Sequence, residues 1–66
     1  MEVWVNGERR ELPAGAAVAD ALEALGLPRS GVAVAVDGEM VRRVDWSTAA
    51  LAEGARVEVL TAVQGG

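Results

Sequence analysis

The 66-residue sequence contains no cysteine, no histidine and no lysine, and all six of its basic residues are arginine. Without cysteine, neither a disulfide nor a thiolate metal site can form. Without histidine and lysine, a Ser-His relay and a Schiff base are also excluded. Aromatic residues are scarce too, with Trp4 and Trp46 as the two examples. The sequence therefore favours a binding or carrier module over an independent enzyme, and it predicts no metal site.

Acidic residues outnumber basic residues by ten to six, which gives a formal net charge of -4 and a pI near 4.5. An acidic surface argues against nucleic acid and against anionic membranes as partners. The carboxylates are scattered over predicted turns and strand faces, so they do not indicate a catalytic acid–base pair. Two interpretations of the charge stay open, namely a solvated surface that keeps the protein soluble and steering toward a basic partner.

The length predicts one small domain. The first ten residues, "MEVWVNGERR", lack the basic and apolar regions of a signal peptide. The alanine-rich stretch 14–24 is interrupted by Asp20 and Glu23, so we expect no membrane-spanning segment. The sequence therefore predicts a cytoplasmic protein with no membrane partner.

The first half of the chain predicts a β-hairpin followed by a helix. In "EVWVN" the valines alternate with Trp4, which is typical of a strand, and Asn6-Gly7 indicates a type I′ turn leading to a second strand at 9–12. An apolar stripe with helical spacing then predicts a helix, which Gly26 ends. Its members are Val18, Ala21, Leu22 and Leu25. Ala17 stands at the expected N-cap, where its methyl group offers no acceptor.

The second half predicts three further strands. "GVAVAVDGEMV" indicates a strand, a turn at Asp37-Gly38 and a return strand, and "RVEVLTAV" indicates the last strand. Between them we expect Trp46 to cover an edge of the core and one 3-10 turn to form at 47–51. The predicted order of elements is β-β-α-β-β-β.

One helix can cover only one face of a four- or five-stranded sheet, so the opposite face is predicted to be open. We interpret Trp4 on this face as a partner anchor with a shallow seat formed by small alanines beside it. The alternative is an exposed aromatic residue, or one covered by the loop around Trp46. The residues predicted for this partner-docking face are Trp4, Ala33, Ala35, Glu58 and Leu60.

Three stretches, "VNGERRELPAGAAVADALEALGL", "GVAVAVDGEMVRR" and "EGARVEVLTAVQGG", resemble the ThiS family of sulfur carriers over essentially the whole chain. The resemblance implies an α+β, ubiquitin-like β-grasp fold, with a mixed four- to five-stranded sheet and one helix packed on one face. It implies a domain at 1–62 and a flexible tail at 63–66. Ala17, Arg42 and Ala55 depart from the family pattern, and all three departures concern local structure.

The resemblance also implies a function for the terminal Gly-Gly. A ThiF-like enzyme would adenylate Gly66 with ATP, a cysteine-derived donor acting through a partner would supply sulfur, and the resulting thiocarboxylate would serve a ThiG-like thiazole synthase in thiamine biosynthesis. Val63, Gln64 and Gly65 would thread the partner's site. The chain itself would bind no cofactor and would be a monomer when free.

Three alternatives remain open from the sequence. A related carrier for molybdopterin synthesis or tRNA thiolation would use the same tail chemistry with another acceptor. A ubiquitin-like modifier would be joined to lysines of target proteins. An interaction module with an accidental Gly-Gly would need no tail at all.

Overall fold

The computed structural model describes residues 1–61, which form a mixed five-stranded sheet and one helix. The sheet order is β2-β1-β5-β3-β4, with β1 and β5 parallel and the other neighbours antiparallel. The α+β architecture predicted from the sequence is confirmed, whereas the predicted boundary after residue 62 and the tail 63–66 lie outside the described residues. The elements are β1 Glu2–Val5, β2 Glu8–Glu11, α1 Val18–Ala24, β3 Val32–Val36, β4 Glu39–Val41 and β5 Arg56–Thr61, with a 3-10 turn at Arg43–Asp45.

Both hairpins turn on an Asx-Gly pair. The backbone φ angles are 50° at Asn6 and 83° at Gly7, and 51° at Asp37 and 85° at Gly38. A type I′ turn requires positive φ at both central residues, so the predicted turn chemistry is confirmed. The two-residue loop pairs the ends of β1 and β2 directly, and β2 therefore spans Glu8–Glu11, one residue earlier than the sequence predicts.

The core lies between α1 and the valine face of the sheet. The alternating valines of β1 and β5 point toward the helix and are buried, as predicted, and Val34 at the middle of β3 is fully buried. The buried side chains of the helix include Val18 and Leu22, whereas Leu25 is only partly buried at its end. No helix within residues 1–61 combines the length and apolar character that crossing a membrane requires.

Trp46 closes one edge of this core, as predicted. Its side chain is 2% exposed and its Nε1–H donates to the carbonyl oxygen of Val41 at 2.9 Å. The 3-10 turn, however, lies at Arg43–Asp45 and not at 47–51. Turn hydrogen bonds continue as far as Ala49, whose N–H donates to the Asp45 carbonyl at 2.8 Å. The turn ends there because Ala50 forms a bridge with the residue before the helix and the Leu51 N–H donates to the Ala16 carbonyl.

The loop that follows Trp46 also caps the helix. The Val18 N–H donates to the carbonyl of Ala49 at 3.0 Å, and the Ala19 N–H donates to the carbonyl of Trp46 at 2.9 Å. These two N–H groups belong to the first turn, where an α-helix has no internal partners for them. Backbone carbonyls from a distant loop thus supply what the alanine at the N-cap cannot.

Asp20 provides a further part of this cap, since its Oδ2 accepts from the backbone N–H of Ala17 at 2.9 Å. We expect Asp20→Ala to lower the free energy of unfolding by about 1 kcal/mol, the usual effect of losing a capping interaction. Denaturant unfolding measures the change. Glu23→Ala is the matched control, because Glu23 is an exposed acidic residue of the same helix, and its removal should change stability by less than about 0.5 kcal/mol. Equal losses in the two variants would contradict the assigned role of Asp20.

Candidate functional site

The sheet face opposite α1 carries exposed apolar side chains. Trp4 is 40%, Leu60 is 64% and Met40 is 67% exposed. We call this surface the open face, and its residues on β1, β5, β3 and β4 include Trp4, Arg56, Glu58, Leu60, Ala33, Ala35 and Met40. Large exposed apolar side chains gathered on one surface commonly mark a protein–protein interaction site.

Strand register brings four of the five predicted docking residues together. Ala33 lies opposite Leu60, and Ala35 lies opposite Glu58. Met40 of β4 lies opposite Ala35 and extends the group by one strand. We call Ala33, Ala35, Met40 and Leu60 the apolar patch. Glu58 is the charged residue that shares the face with them.

Met40 is the residue that sequence reasoning missed in this patch. The sequence does contain the information needed to predict it, because a two-residue turn at Asp37-Gly38 fixes the register in which Met40 faces Ala35. Applying that register to the pattern of alternating faces places Met40 beside the two alanines.

Trp4 lies at the other end of the open face. It is opposite Arg9 of β2 on one side and Arg56 of β5 on the other. Leu60 follows Arg56 by four residues, so Trp4 and Leu60 are about 13 Å apart along the strand direction. The prediction that small alanines form a shallow depression beside Trp4 is therefore wrong. Strand β5 lies between Trp4 on β1 and the alanines on β3, and it presents charged residues next to Trp4. The loop around Trp46 packs on the helix side and does not cover Trp4.

A shallow groove runs between the two hairpin turns and joins Trp4 to Glu58. Its lining also includes Asn6, Asp37 and Arg56. Among residues 1–61, neither Arg56 nor Glu58 forms an ion pair, whereas the exposed Arg9 is paired with Glu2 at 3.1 Å. The groove therefore presents one cation, Arg56, and two anions, Asp37 and Glu58, that a partner can engage.

The C-terminal segment continues directly from the end of the apolar patch. Strand β5 ends at Thr61, the residue after Leu60, and "AVQGG" follows in the sequence. Five fully extended residues span at most about 17 Å. The predicted site residues Gly66, Val63, Gln64 and Gly65 lie outside the described residues. Within residues 1–61, no three acidic side chains come together as a metal site.

Comparison with known proteins supports a carrier role. The model of the ThiS family matches residues 3–66. The sulfur carrier protein ThiS of Thermus thermophilus is 38% identical over 64 residues, which cover 97% of this chain and 98% of that protein. A crystal structure of the thiamine biosynthesis protein ThiS from Geobacter metallireducens superposes with a TM-score of 0.85 at 28% identity, covering 100% of both chains.

A solution structure of a thiamine biosynthesis protein from the same organism superposes with a TM-score of 0.78, covering 100% of this chain and 88% of that one. With the mixed five-stranded sheet and single packed helix seen in residues 1–61, these matches confirm the predicted β-grasp fold.

Proposed function

The chain belongs to the ThiS family and is a sulfur carrier of thiamine biosynthesis rather than an enzyme, and we propose that Gly66 is the residue that carries the sulfur. The family match extends to residue 66, and the chain contains no cysteine. A carrier without a thiol has to bind sulfur at another atom. The carboxyl carbon of a C-terminal glycine is such an atom. The proposal therefore rests on the family match that reaches Gly66 together with the absence of cysteine.

The chemistry needs an activated carboxylate, because a free carboxylate is a poor electrophile. The Gly66 carboxylate attacks the α-phosphorus of ATP, displaces pyrophosphate and forms a mixed anhydride with AMP. A sulfur nucleophile at the oxidation level of sulfide, delivered by a partner from a cysteine-derived donor, then attacks the carbonyl carbon and displaces AMP. The resulting thiocarboxylate donates its sulfur to thiazole formation. ATP is held by the adenylating partner, and the carrier binds no cofactor of its own.

Two partners act on the carrier in this scheme, a ThiF-like adenylating enzyme and a ThiG-like thiazole synthase. The open face is the docking surface for both, with Leu60, Ala33 and Ala35 supplying apolar contact and Trp4 and Glu58 supplying outer contacts. The position of Leu60 next to the end of β5 supports this assignment, because a partner bound there is within reach of the tail. Val63, Gln64 and Gly65 thread the active site, where the absence of a Cβ at Gly65 permits close approach to phosphate.

The free carrier is a cytoplasmic monomer in this proposal. Its edge strand β2 reads "ERRE", and all four residues are exposed. Charged side chains on an edge strand oppose pairing with the edge of another sheet. This charge pattern supports a chain that meets its partners through the open face instead of through strand addition.

Intact mass spectrometry tests the proposal directly. The chain is incubated with ATP, the cognate adenylating enzyme and a sulfur donor, and the C-terminal peptide is then fragmented. We expect one oxygen of the Gly66 carboxyl to be replaced by sulfur. Fragmentation is needed because oxidation of Met1 or Met40 adds nearly the same mass. An unmodified tail, obtained with an enzyme that is active on another carrier, would overturn the proposal.

Leu60 allows the docking surface to be tested separately. We expect Leu60→Glu to weaken binding to the adenylating enzyme about tenfold or more, because it places a charge in the apolar patch beside Glu58. Surface plasmon resonance measures the dissociation constant. Val44→Glu is the matched control, since Val44 is 76% exposed but lies in the 3-10 turn outside the sheet. Equal weakening in both variants would show that the open face is not the docking surface.

A further inference from the structure

The first residue of each hairpin turn binds the backbone of the central strand β5 through its side chain. The Asn6 Oδ1 accepts from the Val59 N–H at 2.9 Å, and the Asn6 Nδ2 donates to the Val59 carbonyl at 3.2 Å. On the other side of β5, the Asp37 Oδ1 accepts from the Arg56 N–H at 2.9 Å. Asn6 thus uses its donor and its acceptor, whereas Asp37 uses only an acceptor.

The Asn6 side chain replaces a missing stretch of β1. Backbone pairing of β1 with β5 ends where Val5 faces Val57 and the Asn6 N–H donates to the Val57 carbonyl at 2.9 Å. The next residue of β5 whose backbone N–H and carbonyl point toward β1 is Val59, which is 7% exposed. Without the Asn6 carboxamide, both backbone groups of Val59 would lose these partners, and an unpaired buried backbone group is costly.

The same asparagine is chemically labile, because glycine follows it. The backbone nitrogen of Gly7 can attack the side-chain carbonyl carbon Cγ of Asn6. The bond between Cγ and Nδ2 then breaks, ammonia leaves with the amide proton, and a succinimide forms. Water opens the ring to aspartate or isoaspartate. A glycine has no side chain to hinder this attack, and no heavy atom outside Gly7 and its two chain neighbours lies within 4 Å of the position that a Cβ would occupy at Gly7.

We propose that Asn6-Gly7 is a latent deamidation site that the folded sheet protects, and that its conversion releases the end of β5 from β1. Protection follows from the two hydrogen bonds, since Cγ cannot reach the turn nitrogen while its carboxamide is held against Val59. Conversion to aspartate removes the donor to the Val59 carbonyl, and isoaspartate in addition inserts an extra backbone atom. Either product loosens residues 59–61, from which the segment 62–66 continues.

Intact mass follows the reaction, because Asn6 is the one asparagine of the chain, and fragmentation distinguishes it from hydrolysis of the Gln64 amide, which changes the mass equally. The full chain is kept at mildly alkaline pH either folded or unfolded in urea, and replacement of the amide NH2 by OH is followed with time. We expect conversion to be about tenfold slower or more in the folded chain, since the reaction requires the local opening of the sheet. Peptide mapping locates the change. Equal rates, or no conversion in the unfolded chain, would overturn the proposal.

A matched pair of variants tests the consequence for β5. Asn6→Asp creates the deamidation product, and Asp37→Asn keeps an acceptor for the Arg56 N–H at the equivalent position of the other turn. We expect amide hydrogen exchange at residues 59–61 to be about tenfold faster or more in Asn6→Asp and nearly unchanged in Asp37→Asn. Exchange in Asn6→Asp that matched the parent chain would show that the carboxamide does not hold this end of β5. Neither measurement depends on the sulfur chemistry.

Discussion

Removal of Gly66 is expected to reduce adenylation strongly while the domain remains folded. The shortened chain still ends in a glycine carboxylate, but that carboxylate lies about 3.5 Å short of its position in the parent chain. A displacement of even about 1 Å from productive geometry can reduce a rate about a hundredfold. We therefore expect the rate of ATP-dependent adenylation to fall at least about a hundredfold, measured by pyrophosphate release with the cognate enzyme.

Two further variants test whether the position of the terminal carboxylate, and not a general loss of function, explains this result. A chain extended by one glycine after Gly66 displaces the carboxylate in the opposite direction and should be equally inactive. Glu23→Ala, which changes an exposed helical residue, should be adenylated at the parental rate. Circular dichroism should show parental thermal unfolding for both tail variants. Normal adenylation of the shortened chain would refute the assignment of Gly66 as the sulfur-carrying residue.

Trp46→Ala is expected to bring the domain close to unfolding. Truncation of a buried tryptophan typically costs about 3–5 kcal/mol. The variant also leaves the Val41 carbonyl without its indole donor and leaves a cavity beside the loop that caps α1. A domain of this size has only about 3–10 kcal/mol of stability in total. We expect a large drop in the urea midpoint, and unfolding before denaturant is added if the parent lies at the lower end of that range.

Trp4→Ala is the natural control for this loss, because it removes the same side chain from the opposite face. Trp4 is 40% exposed, so we expect it to cost about 1 kcal/mol. Each variant also leaves a single tryptophan, whose fluorescence reports on one face of the sheet. Equal destabilisation by the two substitutions would contradict the assignment of Trp46 to the core.

Local chemistry in the sequence was enough to predict the strands, the two hairpin turns and the helix. Asn6-Gly7 and Asp37-Gly38 predicted their turns because positive φ at both central residues has few other solutions. Alternating valines predicted which face of each strand is buried, because side chains alternate strictly along a strand. The whole-chain resemblance added the β-grasp strand order, which these local signals do not contain.

The candidate site was predicted less completely, because its members come from strands that are distant in the sequence. The pairing of Ala33 with Leu60 agrees with the predicted face, whereas Met40 joined the patch only through the register of β4. Arg56 lies beside Trp4 only because β5 is a neighbour of β1 in the sheet, which no single stretch of sequence specifies.

By itself, the sequence determined the turns, the helix, the buried valines and the absence of any thiol that could carry sulfur, because each depends on residue type or local spacing. Only the tertiary structure decided how the helix is capped, where the 3-10 turn lies and which side chain holds the end of β5. These features depend on backbone groups of one segment meeting those of another. Trp46 and Ala49 cap a helix that begins at Val18, far earlier in the chain, and no local pattern encodes that contact.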